Sequence, residues 1–569
     1  MTTGKAHVAI GFMGLWSAAI AAWGNAIYVS PGGSDRNNGA SVRTPLRTLA
    51  TAADRAAPGD TVYLLPGQFN EALVPANAGE PGQPITYKSI TPGAAMISNV
   101  NVGILVNSLA YIVIDGISVD GLREPPNATV NTFLAVQNSN HITVQNVTFR
   151  RANGWAGVDI SGFYSNDGLY WEDMPKNTPR QGSTSYVTLQ DSTIDNVGEY
   201  ATPSGDAIQV AYGRVQHTLI QGNTITHGGH DLVEFDGDYG VLQDNLLNNS
   251  YRDIAGGDTG YRSIEVQGSF NVVQRNLMEH ARFGGGGYVA PVAVIRGDDN
   301  IVRQNALYDG ITYGLGVWCA TSSPTVENLR IYNNTLYDIG GAAWAVYAYA
   351  GCETLSHHVF ANNLVMNSRM STGTLPGVYH GSTVPDDDVL FAVMGGSGLV
   401  NVGQGPTAQS AVKGNLFWPE SGGPAYVMLD GAEGRMPLSV ASGQYPQFFS
   451  ANLVSRPTFV SASPRALADF RLEPSSPGVA AGTFLTHAVR SATSNRLSVQ
   501  DSLYFTDGNG VIPGDTIELE GTTDRPTIVA IDHSSNTLML STPVAFTNGQ
   551  GVALPYNGTA PDIGIGSAP

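Results

Sequence analysis

Lysine is almost missing from this chain: Lys5, Lys88, Lys176 and Lys413 are the only four in 569 residues, and charged residues make up 13% of the total. Long solvent-facing helices draw heavily on lysine and glutamate, so the composition argues against an α-helical architecture. Cysteine is scarcer. Cys319 and Cys352 are too few for a disulfide scaffold, leaving either one bridge or two buried thiols. Beyond Val8–Trp23 no apolar run is long enough to cross a bilayer. Cationic surface is lacking too: the net charge is −19, which argues against nucleic acid and repels a polyanion unless arginines or a bound cation reverse the field locally.

The apolar run follows a basic start at Lys5 and ends in small residues at Gly24 and Ala26, the layout of a secretory signal. Residues 1–26 are therefore expected to be removed, with a retained anchor as the alternative. Export would leave a secreted or periplasmic protein, a monomer without membrane attachment.

What the chain has in plenty is glycine, 68 residues, and repetition. A column apolar-x-x-Asn/Asp-x-apolar runs through Asp115, Asn146, Asp191, Asn223, Asn245, Asn276, Asn305, Asn334 and Asn363. The segments around it are short and β-branched, bounded by Gly and Asn, which favours stacked strands over leucine-rich repeats. Asparagines bonded rung to rung satisfy turn backbone inside such a stack. The reading is all-β, a parallel β-helix. Thr44 as N-cap and Pro45 at the first position predict an early helix, with Leu46, Leu49, Ala53 and Ala56 on one face suited to capping the open end.

"LVEFDGDYGVLQDN" is echoed by "SIEVQGSFNVVQRN". Counting back from each column asparagine, Val233, Phe235, Ile264, Val266, Ala293 and Ile295 should face the core. Glu234, Asp236, Glu265, Gln267, Val294 and Arg296 should then face outward. Glu234 stacked on Glu265 is costly unless a proton, an arginine or a cation intervenes. Arg262 and Arg296 could supply that charge. Calcium held by Asp231, Glu234, Asp236 and Glu265 could do the same, and no organic cofactor is expected. Asp206 and His230 extend the patch; a solvated face of Arg–Glu pairs is the plain alternative. Aromatic residues Phe163, Tyr164, Tyr170 and Trp171 in a long insertion, with Trp318 further on, could pack against sugar rings.

The opening "YVSPGGSDRNNG", continued by "TPLRTLATAADRAAPGDTVYLLPG", and the later "DFRLEPSSPGVAAG" and "APDIGIG" resemble the start and finish of secreted right-handed β-helix proteins of the pectin-lyase-like superfamily. The resemblance implies a right-handed parallel β-helix over residues 27–482 with an N-terminal capping helix. Residues 483–569 would hold a small β module, which either binds sugar or caps the coil, and the closing segment. "SIEVQGSFNVVQRN" followed by "VAVIRGDDNIVRQN" is similar to the region of chondroitinase B-like and alginate lyases that bears calcium-binding acids, a catalytic lysine and a nearby arginine. Glu265 then resembles a metal acid and Arg296 the arginine. The lysine position is Gln267, and no lysine lies between Lys176 and Lys413.

The expected function is a polysaccharide lyase working by β-elimination on a uronate-containing glycan. Its catalytic residues would be among Arg262, Arg296, His230 and Glu265, with substrate held by Gln267, Tyr261, Trp171 and Trp318. A glycoside hydrolase using paired carboxylates is the alternative, and a non-catalytic glycan-binding β-helix the second.

Overall fold

The computed structural model describes residues 24–125, 127–162, 182–198, 205–211, 214–249, 262–279, 292–310, 313–320, 323–339, 342–348, 351–367, 389–395, 409–419, 422–429 and 435–566. Short strands with β-branched, alternating sequence pair in parallel with the strand one coil away, building three long sheets that hold 15, 13 and 12 strands among the described residues. One coil contributes Val272–Gln274 to the first sheet, Leu277–Glu279 to the second and Ala293–Ile295 to the third. The third sheet ends on one antiparallel strand, Arg435–Pro437. Inward residues of all three sheets meet in one continuous apolar core.

The turn between the first and second sheets carries the asparagine ladder. Asn223, Asn245, Asn276, Asn305, Asn334, Asn363 and Asn415 each donate a side-chain N–H to the next asparagine Oδ1 at 2.9–3.1 Å, ending on Asn452. Each also donates to a backbone carbonyl, as Asn305 does to Val273 at 2.9 Å. Two features differ from the sequence reading. The ladder continues to Asn415 and Asn452 beyond the long insertion after Asn363. At its start, Asn146 and Asp191 sit one place earlier, at the left-handed turn position (φ 54° and 51°), while Ser192 occupies the ladder site and its N–H binds Asn223 Oδ1 at 3.0 Å. Asp115 faces outward on the first sheet, bound by Lys88 at 2.7 Å.

The early helix spans Leu49–Arg55 with Thr48, not Thr44, as N-cap: Thr48 Oγ1 accepts from Thr51 N at 3.2 Å. Leu46 is held in extended form beside Tyr28 and Ser30 by two backbone bonds of 2.8 and 2.9 Å, so the helix starts later than Pro45 suggests. Leu46, Leu49, Ala53 and Ala56 are all buried as expected. Cys319 and Cys352 form a disulfide with Cα atoms 5.1 Å apart.

The late β module holds two small three-stranded antiparallel sheets. It lies against the side of the coil, over the outward column Leu219, Val241, Val272 and Ile301 of the first sheet. Arg303 binds Asp515 through two N–H groups at 2.7 and 2.5 Å, and Tyr332 Oη donates to the Tyr504 carbonyl at 2.6 Å.

Asn305→Ala removes two donated bonds and strands the backbone N–H of Asn276, which Asn305 Oδ1 accepts at 2.9 Å. Orphaned buried groups of this kind cost on the order of 3 kcal/mol together. The urea midpoint is expected to fall accordingly, and an unchanged midpoint would show that the ladder carries no stability.

Candidate active site

Strands Ala156–Ser161, Asp206–Ala211, Asp231–Phe235, Arg262–Val266 and Ala293–Ile295 of the third sheet place the ionisable groups. Val233, Ile264 and Ala293 are register partners turned into the core; Asp159, Gln209, Glu234, Glu265 and Val294 are register partners on the outer face. Asp231 pairs with Arg262 in a second outer column, and Asp236, Gln267 and Arg296 follow the paired Phe235, Val266 and Ile295 in a third. Every ionisable residue singled out around the repeated glutamates thus emerges from one sheet.

These groups are bonded into a chain. Glu265, 2% exposed, is gripped by Arg262 on one oxygen and by Arg296 Nη1 on the other at 2.7 Å. Arg262 Nε also donates to Asp231 Oδ1 at 2.8 Å. Asp206 Oδ1 accepts from the Asp231 backbone N–H at 2.9 Å and lies 3.0 Å from His230 Nδ1. Trp318, on the strand Leu315–Cys319, stands with its ring centroid 5.9 Å from the Arg262 guanidinium carbon.

Protonation follows from these partners. Burial works to raise Glu265, but two guanidinium groups outweigh it and hold the carboxyl below its usual range. Asp231, fully buried with one guanidinium, is raised. Burial, reinforced by Asp206, pushes Glu234 up to about 8; Gln209 and Gln267 donate to its two oxygens at 3.0 and 3.2 Å. Burial together with Glu234 and Glu265 pushes Asp236 to about 8. For His230 burial opposes the cation, yet Asp231 and Asp206 raise it to about 9. Arg262 Nη2 lies 3.1 Å from His230 Nε2. A guanidinium can only donate, so this contact requires the neutral ring with its proton on Nδ1, and protonating Nε2 would displace Arg262.

Calcium does not suit this donor set. Two of its four expected ligands, Asp231 and Glu265, already bind guanidinium groups, and an ion between them would sit against Arg262. Among the described residues, the trio whose ligand atoms come within 4.8 Å of one another is Asp206, His230 and Asp231, where an imidazole replaces the oxygen that calcium prefers. Trp171 and Tyr261, with the aromatic insertion, lie outside the described residues. Sequence reasoning missed Gln209 and Asp159. Burial raises Asp159 to about 6, and its carboxylate accepts from Gln137 at 2.9 Å. Aligning "GVDIS" and "DAIQV" on the outward glutamate position would have found both.

Residues 206–384 match the family described as "Right handed beta helix region". The coil is a right-handed parallel β-helix. Uncharacterized protein YwoF of Bacillus subtilis (strain 168) is 32% identical over 131 residues, 21% of this chain and 28% of that protein. The β-helix is also similar to solved structures at low identity. Pectate lyase Pel9A is 14% identical, covering 96% of both chains with a TM-score of 0.43. PL6 family alginate lyase AlyGC is 12% identical over 79% of this chain and 57% of its own, TM-score 0.46. A GH136 lacto-N-biosidase from Eubacterium ramulus is 12% identical over 76% and 67%, TM-score 0.37. These likenesses concern the fold and do not select a reaction.

Arg262→Met leaves Glu265 and Asp231 buried with less countercharge and is expected to lower stability by about 3–5 kcal/mol, read from denaturant unfolding. A second expectation concerns pH. Glu234 and Asp236 stay neutral in the folded chain up to about pH 8 but ionise near 4 when unfolded, so stability declines as pH rises across that interval. Both act in one direction: the melting temperature should drop between about pH 6 and 8, with a shallower drop in Glu234→Gln.

Proposed function

We propose that the chain is an exported polysaccharide-degrading enzyme that hydrolyses glycosidic bonds, with Glu234 as general acid and Glu265 as its charged partner. The observation that carries this reading is a carboxyl pair in register on neighbouring strands, driven to opposite protonation states. Backbones roughly 4.8 Å apart suit the close pairing of a retaining mechanism, in which carboxyl groups stand about 5 Å apart. Glu234, protonated at neutral pH and steadied by Gln209 and Gln267, gives its proton to the departing glycosidic oxygen. Glu265, kept anionic by Arg262 and Arg296, supplies negative charge for the cation that develops on the sugar and bonds to its anomeric carbon once Arg296, the more exposed of its two partners, releases its oxygen. Water then releases the sugar, with Glu234 acting as base.

Elimination on a uronate is the second reading, favoured by Arg296 at the rim of the site with its side chain 14% exposed. It ranks below hydrolysis on the geometry. The lone pair His230 would use as a base faces Arg262. Asp236, another carboxyl near Arg296, is held neutral up to about pH 8 by burial and its acidic neighbours. The lyases and the lacto-N-biosidase named above mark both chemistries as ones to assay.

Incubation with a panel of neutral and uronate polysaccharides decides between them. New reducing ends without an unsaturated uronate chromophore support hydrolysis, the chromophore supports elimination, and no product at all removes the enzymatic reading. Glu265→Gln and Glu234→Gln are each expected to lower kcat by about a hundredfold or more. Activity should also fall as pH rises through about 8, where Glu234 loses its proton; a rate that keeps rising past that point rules out Glu234 as the acid.

A further inference from the structure

A different side of the coil carries a second organised polar surface. On the outer face of the first sheet, Gln145, Gln190, Gln221, Gln243 and Gln274 occupy successive register positions. Each amide N–H points the same way: Gln190 donates to Gln145, Gln221 to Gln190, Gln243 to Gln221 and Gln274 to Gln243, at 3.0, 3.0, 2.9 and 2.7 Å. The ends explain the polarity. Gln145 bonds to the Asp115 carboxylate, and at the far end Arg303 donates to Gln274 at 2.8 Å. An anion and a cation thus orient the intervening amides head to tail.

The late β module forms the wall of a groove of about 800 Å³ over this row, with Thr143, Thr188, Gln190 and Gln221 in the floor and Val511 and Ile512 on the opposite side. Its volume is in the range of ligand sites. An amide has two donors and two acceptor positions, and Gln190 and Gln221 spend only one of each on the row. What remains is offered on two neighbouring rungs, roughly 4.8 Å apart along the coil, while Gln243 and Gln274 beyond them are buried. Half-exposed Val511 and Ile512 add an apolar face. A strip of paired donors and acceptors facing apolar side chains matches a sugar chain, whose rings offer hydroxyl edges and C–H faces.

Charge narrows the ligand. Both guanidinium groups in the groove lining are ion-paired, Arg275 with Asp244 at 2.8 Å and Arg303 with Asp515, and the chain as a whole carries −19. Neutral amides suit an uncharged chain, and the acidic protein repels an anionic one.

We propose that this groove is a second, non-catalytic binding site for a linear, uncharged polysaccharide lying along the coil axis. It holds substrate on one side of the coil while the third sheet acts on another, and it does not depend on which reaction the third sheet performs.

The test is affinity electrophoresis of the full chain through gels containing glucomannan, mixed-linkage β-glucan or polygalacturonate. Retardation by an uncharged polysaccharide is expected. Thr188→Arg, which fills the floor beside the amide row, and Gln221→Met, which removes one amide, should each weaken it about tenfold or more with folding intact by circular dichroism. Glu265→Gln should retain it. The proposal is overturned by no retardation in either uncharged gel, by retardation in polygalacturonate alone, by undiminished retardation in whichever groove variant folds, or by loss in Glu265→Gln. Groove-dependent retardation without reaction products would sustain this site while removing the hydrolase reading. Products with groove-independent retardation would do the reverse.

Discussion

Coil-to-coil bonding of buried asparagines is the constraint on which the rest of the molecule depends. A parallel coil must turn sharply between its first and second sheets, and those turns bury backbone groups that no strand can reach. Asn245, Asn276, Asn305 and Asn334 satisfy them while bonding to one another along the axis, so each turn fixes the height and phase of the next. Because a strand's side chains alternate, that phase decides which residues face out together. Slipping one coil by a single residue would turn Glu265 into the core and Ile264 to solvent. The ladder is thus what brings charges from strands about thirty residues apart into one cluster.

The cluster turns repeated acids into distinct chemical species. Glu234 and Glu265 hold equivalent places in the repeat, yet one is surrounded by amides and another carboxyl, the other by two guanidinium groups. Identical positions therefore acquire opposite protonation. The difference comes from the next column over, where Asp231 and Arg262 stack and Arg296 reaches back across the sheet.

Much of this was legible in the chain itself. Periodic Asn and alternating apolar residues disclosed the coil, its outward positions and the Glu–Arg cluster, because both signals are local and recur at every turn. The ladder's beginning was misjudged by one residue at Asn146 and Asp191, since an Asx residue in a left-handed turn looks the same in sequence as one in the ladder beside it. Its end was lost because the segment between Asn363 and Asn415 interrupts the period. The Arg262 bridge between Asp231 and Glu265, which disfavours calcium, could not be read at all: a row of carboxylates with nearby arginines is compatible with either arrangement until side-chain directions are known. The resting place of the module, against the flank of the coil, depends on Arg303 and Asp515, a pair 212 residues apart, and no short-range pattern announces it.

That distance has a bearing on manufacture. A ribosome delivers Leu219, Val241, Val272 and Ile301 long before Leu519 and Val552, the residues that will shield them. For that interval the growing chain displays a greasy flank, a known route to clumping in slow-forming β architectures. The final segment is thus a belated cover, and keeping newly made copies apart until it arrives becomes a task for the cell's folding machinery.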